Sequence, residues 1–481
     1  MPFCQLFHPI DKNFSFQVKF SVKKEEIFAT QAITQERDSF SSRLAFIVSA
    51  AGSAIGLANI WKFPYIVGQY GGGSFILLYL LFLVLVGIPA FISEIIIGKT
   101  THKPPSAAFE QLGKGSVGWK RIGAIASWTG FIVSSFYSVV AGWILGYFTQ
   151  ALLGNLAQID TIAAAHIHFQ SLIQNPLWAP AFQLLFMALS VWFLLGGCRR
   201  GIEVCNKVCM PLFFLLLFIF TGWASSLPTA SEIVSFFTSF SVKNISAVAV
   251  IIALGHAFFT LSIGQGTLIT YGSYLHRQEK TLLSSLAVVA ADTLVSLLSA
   301  FCILSVVFAS HKEMNFGPSL IFETLPTIFS HSHFGTCIVA FFFFFVFIAA
   351  LTSQVSALEP LIAHLNITKG IERKKATCMV CLGSFLLGIP SALSTSLLQD
   401  MTFFGHNFLD SISFITTSIL IPVCGCAAVL LVGWRWGMKA ALQQLQVHAP
   451  LLRFYFITTI KYLAPILIIL VFLHVVGAWN G

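Results

Sequence analysis

Charge is what this chain lacks. Only 9% of its 481 residues are Asp, Glu, Lys or Arg, against about 25% in an ordinary soluble domain. So few charges cannot cover the surface of a soluble protein of this length. Disorder, a disulfide-knit secreted domain and a typical cytosolic enzyme are thereby excluded. The ten cysteines offer no metal site: Cys378/Cys381 and Cys424/Cys426 have no His or Cys partner pair at zinc spacing. With Cys198, Cys205, Cys209, Cys302 and Cys337 they read as small buried hydrophobes. Residues 1–40 lack a continuous apolar run ending in a small-residue cleavage site, so they read as a cytoplasmic tail rather than a signal peptide.

What the chain has is long apolar blocks. They run at about 44–66, 74–98, 122–153, 180–197, 202–224, 246–274, 283–310, 336–365, 376–398, 411–433 and 455–477. Each is near or above the ~20 residues that cross a bilayer as a helix. This predicts an all-α polytopic membrane protein of eleven spans. If the N-terminus is placed inside, nearly every Lys and Arg falls on the cytoplasmic side. Only Lys243 and Lys312 fall on the other, while Lys62 and Lys461 lie within spans. Such a bias fixes the orientation and accounts for the net charge of +9 without nucleic acid. It places the C-terminus outside.

Two blocks are interrupted. The first contains Ala51-Gly52-Ser53-Ala54-Ile55-Gly56-Leu57-Ala58-Asn59, with an Asn at membrane depth. The sixth contains Phe258-Phe259-Thr260-Leu261-Ser262-Ile263-Gly264-Gln265-Gly266. Small residues also serve close helix packing. These stretches, however, open two five-span halves at matching positions, the sequence pattern of a transporter site at a repeat interface. Carbonyls freed there can coordinate cations. Three carboxylates, Glu94, Asp292 and Glu359, lie inside apolar blocks, where a charge costs at least ~3 kcal/mol and needs a partner. A monovalent cation would offset Asp292; Glu94 and Glu359 read as held by backbone amides. Ala349-Ala350-Leu351-Thr352-Ser353 adds two adjacent hydroxyls, half of the oxygen cage a hard monovalent ion needs. The run Phe341–Phe345 reads as lipid-facing or packing surface.

These residues carry a resemblance. The segment from Ser42 through Gly56-Leu57-Ala58-Asn59-Ile60-Trp61-Lys62-Phe63-Pro64-Tyr65 resembles the first helix of the neurotransmitter:sodium symporter family. Gly71-Gly72-Gly73, the stretch 258–274, Gly317-Pro318-Ser319-Leu320-Ile321-Phe322 and Leu351-Thr352-Ser353 resemble further motifs in family order. The match covers about 37–436, and eleven spans resemble the bacterial amino-acid transporter branch, in the plasma (inner) membrane. The resemblance implies a 5+5 inverted repeat with helices 1 and 6 broken. The domains would be a tail (1–40), a core of ten helices (41–434), and a loop with helix 11 (435–481).

Carried over by position, it implies sodium-coupled symport of a neutral amino acid, with Na⁺ as co-transported ion and no organic cofactor. The first sodium would meet the Ala54 carbonyl, Asn59, Thr260, Asp292 and the substrate carboxylate. The second would meet the carbonyls of Gly52, Ile55 and Ala349 with the Thr352 and Ser353 hydroxyls. The carboxylate would bind Tyr137 and the amides of Leu57 and Ala58. The ammonium would bind the carbonyls of Ala54, Phe259 and Thr260 with the Ser262 hydroxyl. Val133, Tyr137, Phe259, Ser262, Gln265, Ser353 and Ala357 would line the side-chain pocket. Gln265 and Ala357 replace bulkier residues of a leucine-transporting member, which implies a large substrate, aromatic or long aliphatic. Asp292 supplies internally the charge that chloride supplies elsewhere, implying chloride independence, although Ser296 matches a chloride-contacting position.

The gates depart from the family. Outside, its Arg–Asp pair and nearby Gln are Lys62, Ser413 and His256, leaving Asp410 as the partner expected for Lys62 and His256 as a pH-sensitive element. Inside, Arg37 and Tyr274 match, while the expected Trp is Phe40 and the expected Asp is Ile367. Leaky gates, and with them a channel-like or non-transporting sensor, are one alternative; a symporter of an amino-acid derivative is another. An embedded enzyme would need a nucleophile–base pair or metal set at membrane depth, where His256 stands alone among the histidines.

Overall fold

The computed structural model describes residues 38–156, 159–241, 245–309, 320–330, 335–403 and 405–477. Cys4, Arg37, Lys243, Lys312 and Gly317-Pro318-Ser319 lie outside them. Ser39–Gly481 forms one compact unit, and its described residues are helical, with a single isolated bridge between Phe403 and His406.

The elements follow the apolar blocks. A bent pair, α1 (Arg43–Ala54) and α2 (Ala58–Gln69), is followed by α3 (Gly73–Thr101) and α4 (Val117–Leu152). A short apolar helix α5 (Ile162–Ile173) leads to α6 (Trp178–Leu195) and α7 (Cys198–Ser225). The sixth block is two short helices, α8 (Ala247–Phe259) and α9 (Thr267–Ser273). Then come α10 (Thr281–Ala309), short α11 (Leu320–Phe329), α12 (Gly335–Thr368), α13 (Arg373–Ala392), α14 (Phe408–Leu445) and α15 (Pro450–Val475). Nine described helices are long and apolar enough to span, ten counting the bent pair. The sixth block misses that test because its break leaves neither half long enough.

Both breaks have local causes. Ile55 is extended (φ −71°, ψ 110°) where α1 ends, and the Asn59 amide oxygen accepts from the Gly56 N–H at 2.9 Å. The side chain thus satisfies a backbone donor that a helix would have satisfied itself. Between α8 and α9, Ser262, Gly264 and Gly266 all have positive φ (54°, 85°, 73°). Two glycines take that conformation without a Cβ penalty. The three positions turn the chain out of the helix.

The broken segments lie among α3, α4, α10 and α12, whose inward faces are almost wholly buried. In the phenylalanine run, packing wins over lipid: Phe342, Phe343 and Phe345 are buried, with Phe345 stacked on Phe213 of α7 at 4.5 Å. Seven of the nine described cysteines are buried as expected, but Cys337 and Cys378 are exposed. They sit on outward helix faces, where burial requires lipid rather than protein.

Candidate substrate and sodium sites

The break in α1/α2 leaves carbonyls without helical partners, and hydroxyls from opposite helices come to them. The Ser353 hydroxyl of α12 reaches the Ile55 carbonyl at 3.0 Å and the Gly52 carbonyl at 3.4 Å. Thr352, buried beside it, donates to the Ala349 carbonyl at 3.1 Å. Of the five oxygens expected at the second sodium, the Gly52 and Ile55 carbonyls and the Ser353 hydroxyl meet where α1 ends against α12, while Thr352 and the Ala349 carbonyl bond each other within α12. The set contains two hydroxyls, three carbonyls and no carboxylate, which suits a hard monovalent cation. Gly52 is pressed from behind: a Cβ there would lie 1.9 Å from Asn206 Oδ1 of α7. Ser353→Ala is expected to weaken sodium affinity about tenfold, the loss of one hydrogen-bonding oxygen to a charge, with thermal stability little changed. Sodium titration of substrate binding measures it, and an unchanged midpoint would remove Ser353 from the cage.

The first cluster is centred on Asp292 of α10, fully buried. Asn59 Nδ2 donates to Asp292 Oδ1 at 2.7 Å, to Thr260 Oγ1 at 3.1 Å and to Ser296 Oγ at 2.9 Å. The Thr260 hydroxyl reaches both carboxylate oxygens, at 3.2 and 3.1 Å. Ser296 donates to the Asp292 carbonyl at 3.0 Å. One feature differs from the expected ligand geometry. The Asn59 amide oxygen is turned to Gly56, and its nitrogen faces the carboxylate. That orientation neutralises part of a buried charge that has no cationic side chain beside it among the described residues.

Between these clusters lies one cavity of about 70 Å³. Every residue expected to touch substrate lines it: Ala54, Leu57, Ala58, Val133, Tyr137, Phe259, Thr260, Ser262, Gln265, Ser353 and Ala357. Ser53, Gly56 and Thr267 also line it; the sequence reading passed them over because their contribution is backbone or small-residue surface. The Tyr137 hydroxyl is buried beside Ser353 and the Leu57 backbone without a closely aligned hydrogen bond, so an anionic group entering the cavity can engage it. Two expected ammonium contacts are engaged within the protein. Ser262 Oγ donates to the Ser53 carbonyl at 2.9 Å, and the Phe259 carbonyl accepts from the Ser262 N–H at 3.2 Å. Glu94 accepts from the Gly264 amide at 2.8 Å, so it holds the α8–α9 turn by a backbone amide, as expected.

Outside the cavity the expected Lys62–Asp410 pair does not form. Lys62 Nζ sits 5.1 Å from the Phe259 ring centre, a cation–π contact. Asp410 instead accepts from Asn407 Nδ2 at 2.9 Å. Lys62 and Asp410 share a cavity of about 490 Å³ without an ion pair, because Asn407 caps α14 with Asp410 as partner. His256 stacks 5.2 Å from Phe63 and lies tilted 5.6 Å from Tyr79, with neither ring nitrogen bonded. It lines a different cavity from Asp410. Glu323 of α11, a further buried acid, binds His166 of α5 at 3.1 Å.

At the opposite end the reading that Glu359 is held by backbone amides is overturned. Arg373 of α13 grips Glu359 with two parallel bonds of 2.9 and 2.8 Å, and the Tyr274 hydroxyl donates to the same carboxylate. This supplies an acid to Tyr274 although Ile367, where the family carries one, is exposed. Phe40 packs edge-on against Tyr271 and Tyr274. Arg373 was missed because its partner lies 14 residues away across a helix turn.

Two broken spans with oxygen clusters beside a central cavity define a class, the secondary transporters with a central site between repeats. The comparisons place the chain within it. The model of the sodium:neurotransmitter symporter family matches residues 37–167 and 164–480, and the chain belongs to that family. It is 34% identical to the uncharacterized sodium-dependent transporter YhdH of Bacillus subtilis over 91% of this chain and 97% of that protein. It is 24% identical to the sodium- and chloride-dependent taurine transporter of Rattus norvegicus over 74% of this chain and 65% of that protein. Among solved structures, MhsT in complex with L-phenylalanine superposes with a TM-score of 0.84 at 35% identity, over 91% of this chain and all of MhsT. The protein is therefore a sodium-dependent integral membrane transporter, not an enzyme.

Proposed function

We propose that the chain imports a neutral amino acid with sodium by alternating access, without a requirement for chloride. The observation that carries this reading is the placement of Asp292: a buried carboxylate with no cationic side chain beside it among the described residues, adjoining the cavity that Tyr137 lines. A sodium ion at Ala54, Asn59, Thr260 and Asp292 would neutralise the carboxylate. The substrate carboxylate would complete that ion's shell and take the Tyr137 hydroxyl. Substrate and ion then raise each other's affinity by one factor. A second ion would sit among Gly52, Ile55, Ala349, Thr352 and Ser353. Ser296 is committed to Asn59 and to the Asp292 carbonyl, which supports chloride independence.

A large side chain is the preferred occupant. MhsT, the similar structure, holds L-phenylalanine, and Gln265 and Ala357 leave the far wall small. The present space of about 70 Å³ holds roughly five waters, so an aromatic substrate requires Phe259 to move. We place the N-terminus inside and the C-terminus outside a bacterial inner membrane, with residues 1–40 as tail, 41–434 as core and 435–481 as the final loop and helix. The substrate would leave past Arg37, Phe40 and Tyr274 and enter past Lys62, His256 and Asp410. The test is uptake of labelled leucine, phenylalanine, tyrosine and tryptophan into proteoliposomes under an inward sodium gradient, in chloride and in gluconate. Sodium-driven accumulation that survives gluconate is expected. Accumulation that needs chloride refutes the role given to Asp292, and absence of both uptake and sodium-dependent binding refutes the substrate class.

A further inference from the structure

The last two helices carry a cation that the transport site does not use. Lys461 lies in α15, six residues into the apolar block 455–477. Its ammonium rests 4.7 Å from the Trp434 ring of α14 and 5.3 Å from the Tyr462 ring. The two rings meet edge-on at 5.9 Å, and both are largely exposed, at 58% and 46%. Trp434 Nε1 donates to the Lys461 carbonyl at 2.9 Å, fixing the indole as one wall of an open-sided cage. Two π-helical segments, Leu431–Gly437 and Thr459–Leu463, meet here. Gly433 permits the approach, since a Cβ would lie 3.2 Å from the Lys461 Cα.

Among the described residues no carboxylate pairs with the Lys461 ammonium. Residues 411–481 contain no Asp or Glu at all, while Arg435, Lys439 and Arg453 surround the same loop. A lysine ammonium at the edge of a span favours an anionic partner, and cation–π contact with two rings supplies only part of that stabilisation. An anion at the lipid surface would supply the remaining counter-charge. On the surface of α15, Tyr462, Ile466, Ile469 and Leu473 are all exposed at helical spacing, so an apolar stripe runs away from the ammonium along one face. A headgroup phosphate at Lys461 would lay its acyl chain on that stripe. We propose that Lys461, Trp434 and Tyr462 form a binding site for an anionic phospholipid at the α14–α15 seam.

Native mass spectrometry of the full-length transporter tests this. The protein is released from phosphatidylcholine vesicles with and without phosphatidylglycerol as minor component. Wild type is expected to retain phosphatidylglycerol in preference to phosphatidylcholine. Lys461→Gln should cut that preference about fivefold, the worth of one basic residue near an anionic surface. Lys461→Arg should keep it, as should Lys280→Gln at a distant basic position. Excess inorganic phosphate should leave it unchanged. Equal retention of the two lipids by wild type, an undiminished preference in Lys461→Gln, or displacement by inorganic phosphate would overturn the proposal.

Discussion

Asp292→Asn is expected to weaken sodium affinity about a hundredfold, measured as the sodium concentration that half-saturates substrate binding in gluconate. A unit charge near 4 Å at an effective dielectric of 20 interacts by about 4 kcal/mol. Relief of desolvation on removing the carboxylate returns part of that, leaving roughly 3 kcal/mol. The asparagine would also present either an amide nitrogen or a weaker oxygen to Asn59 Nδ2, which now donates to the carboxylate at 2.7 Å. One buried donor of the pair would then lose its acceptor. In chloride buffer the loss should shrink, because an anion could restore the missing charge near Ser296, whose hydroxyl lies 2.9 Å from Asn59 Nδ2. A sodium midpoint that does not move would take Asp292 out of the ion site. A loss equal in chloride and gluconate would leave the ion role and remove the chloride argument.

Glu359→Gln is the second large effect, on conformation rather than on ion affinity. It leaves Arg373, with a side chain only 19% exposed, facing a neutral amide in place of a bidentate carboxylate. Breaking one partner out of such a pair costs about 3–5 kcal/mol. The pair ties α12 to α13 and, through Tyr274, to the end of α9, so the closed arrangement of that face bears the loss. Cys198 lies fully buried close to Tyr271 and Tyr274 and reports on closure. Alkylation of Cys198, followed peptide by peptide in mass spectra, should accelerate at least tenfold in Glu359→Gln while sodium affinity measured at saturating substrate changes little. Tyr274→Phe, which removes one neutral donor, should give a smaller increase. Unchanged Cys198 labelling in Glu359→Gln would show that this end is held shut by packing around Phe40 instead.

Phe40 shows why packing is a serious competitor there. It is 1% exposed, touches Phe46, Tyr271 and Tyr274 edge-on, and its N–H donates to the Tyr274 carbonyl at 3.2 Å. An aromatic plug of this kind buries area comparable with the tryptophan it replaces. The outer side has no equivalent in this conformation. Lys62 rests on Phe259 and Asp410 on Asn407, so closing that side by charge would require both to change partners.

The sequence by itself determined the membrane class, the positions of the two breaks and the amide that caps the first of them. Each of these is a local property. Apolar length sets a span, glycines and small residues set where a helix opens, and an Asn four residues past Ile55 caps the freed amide within the same segment. The partners of buried charges were decided only by the tertiary structure. Glu359 found Arg373 and Tyr274, Glu323 found His166, and Lys62 failed to find Asp410. Whether a charge is met by an amide, an arginine or an aromatic face depends on which helices pack beside it. These partners lie from 14 to 157 positions apart and on different helices, so no spacing in the chain carries that information. The same holds for the Asn59 amide, whose identity was legible but whose orientation follows from Asp292, 233 residues away.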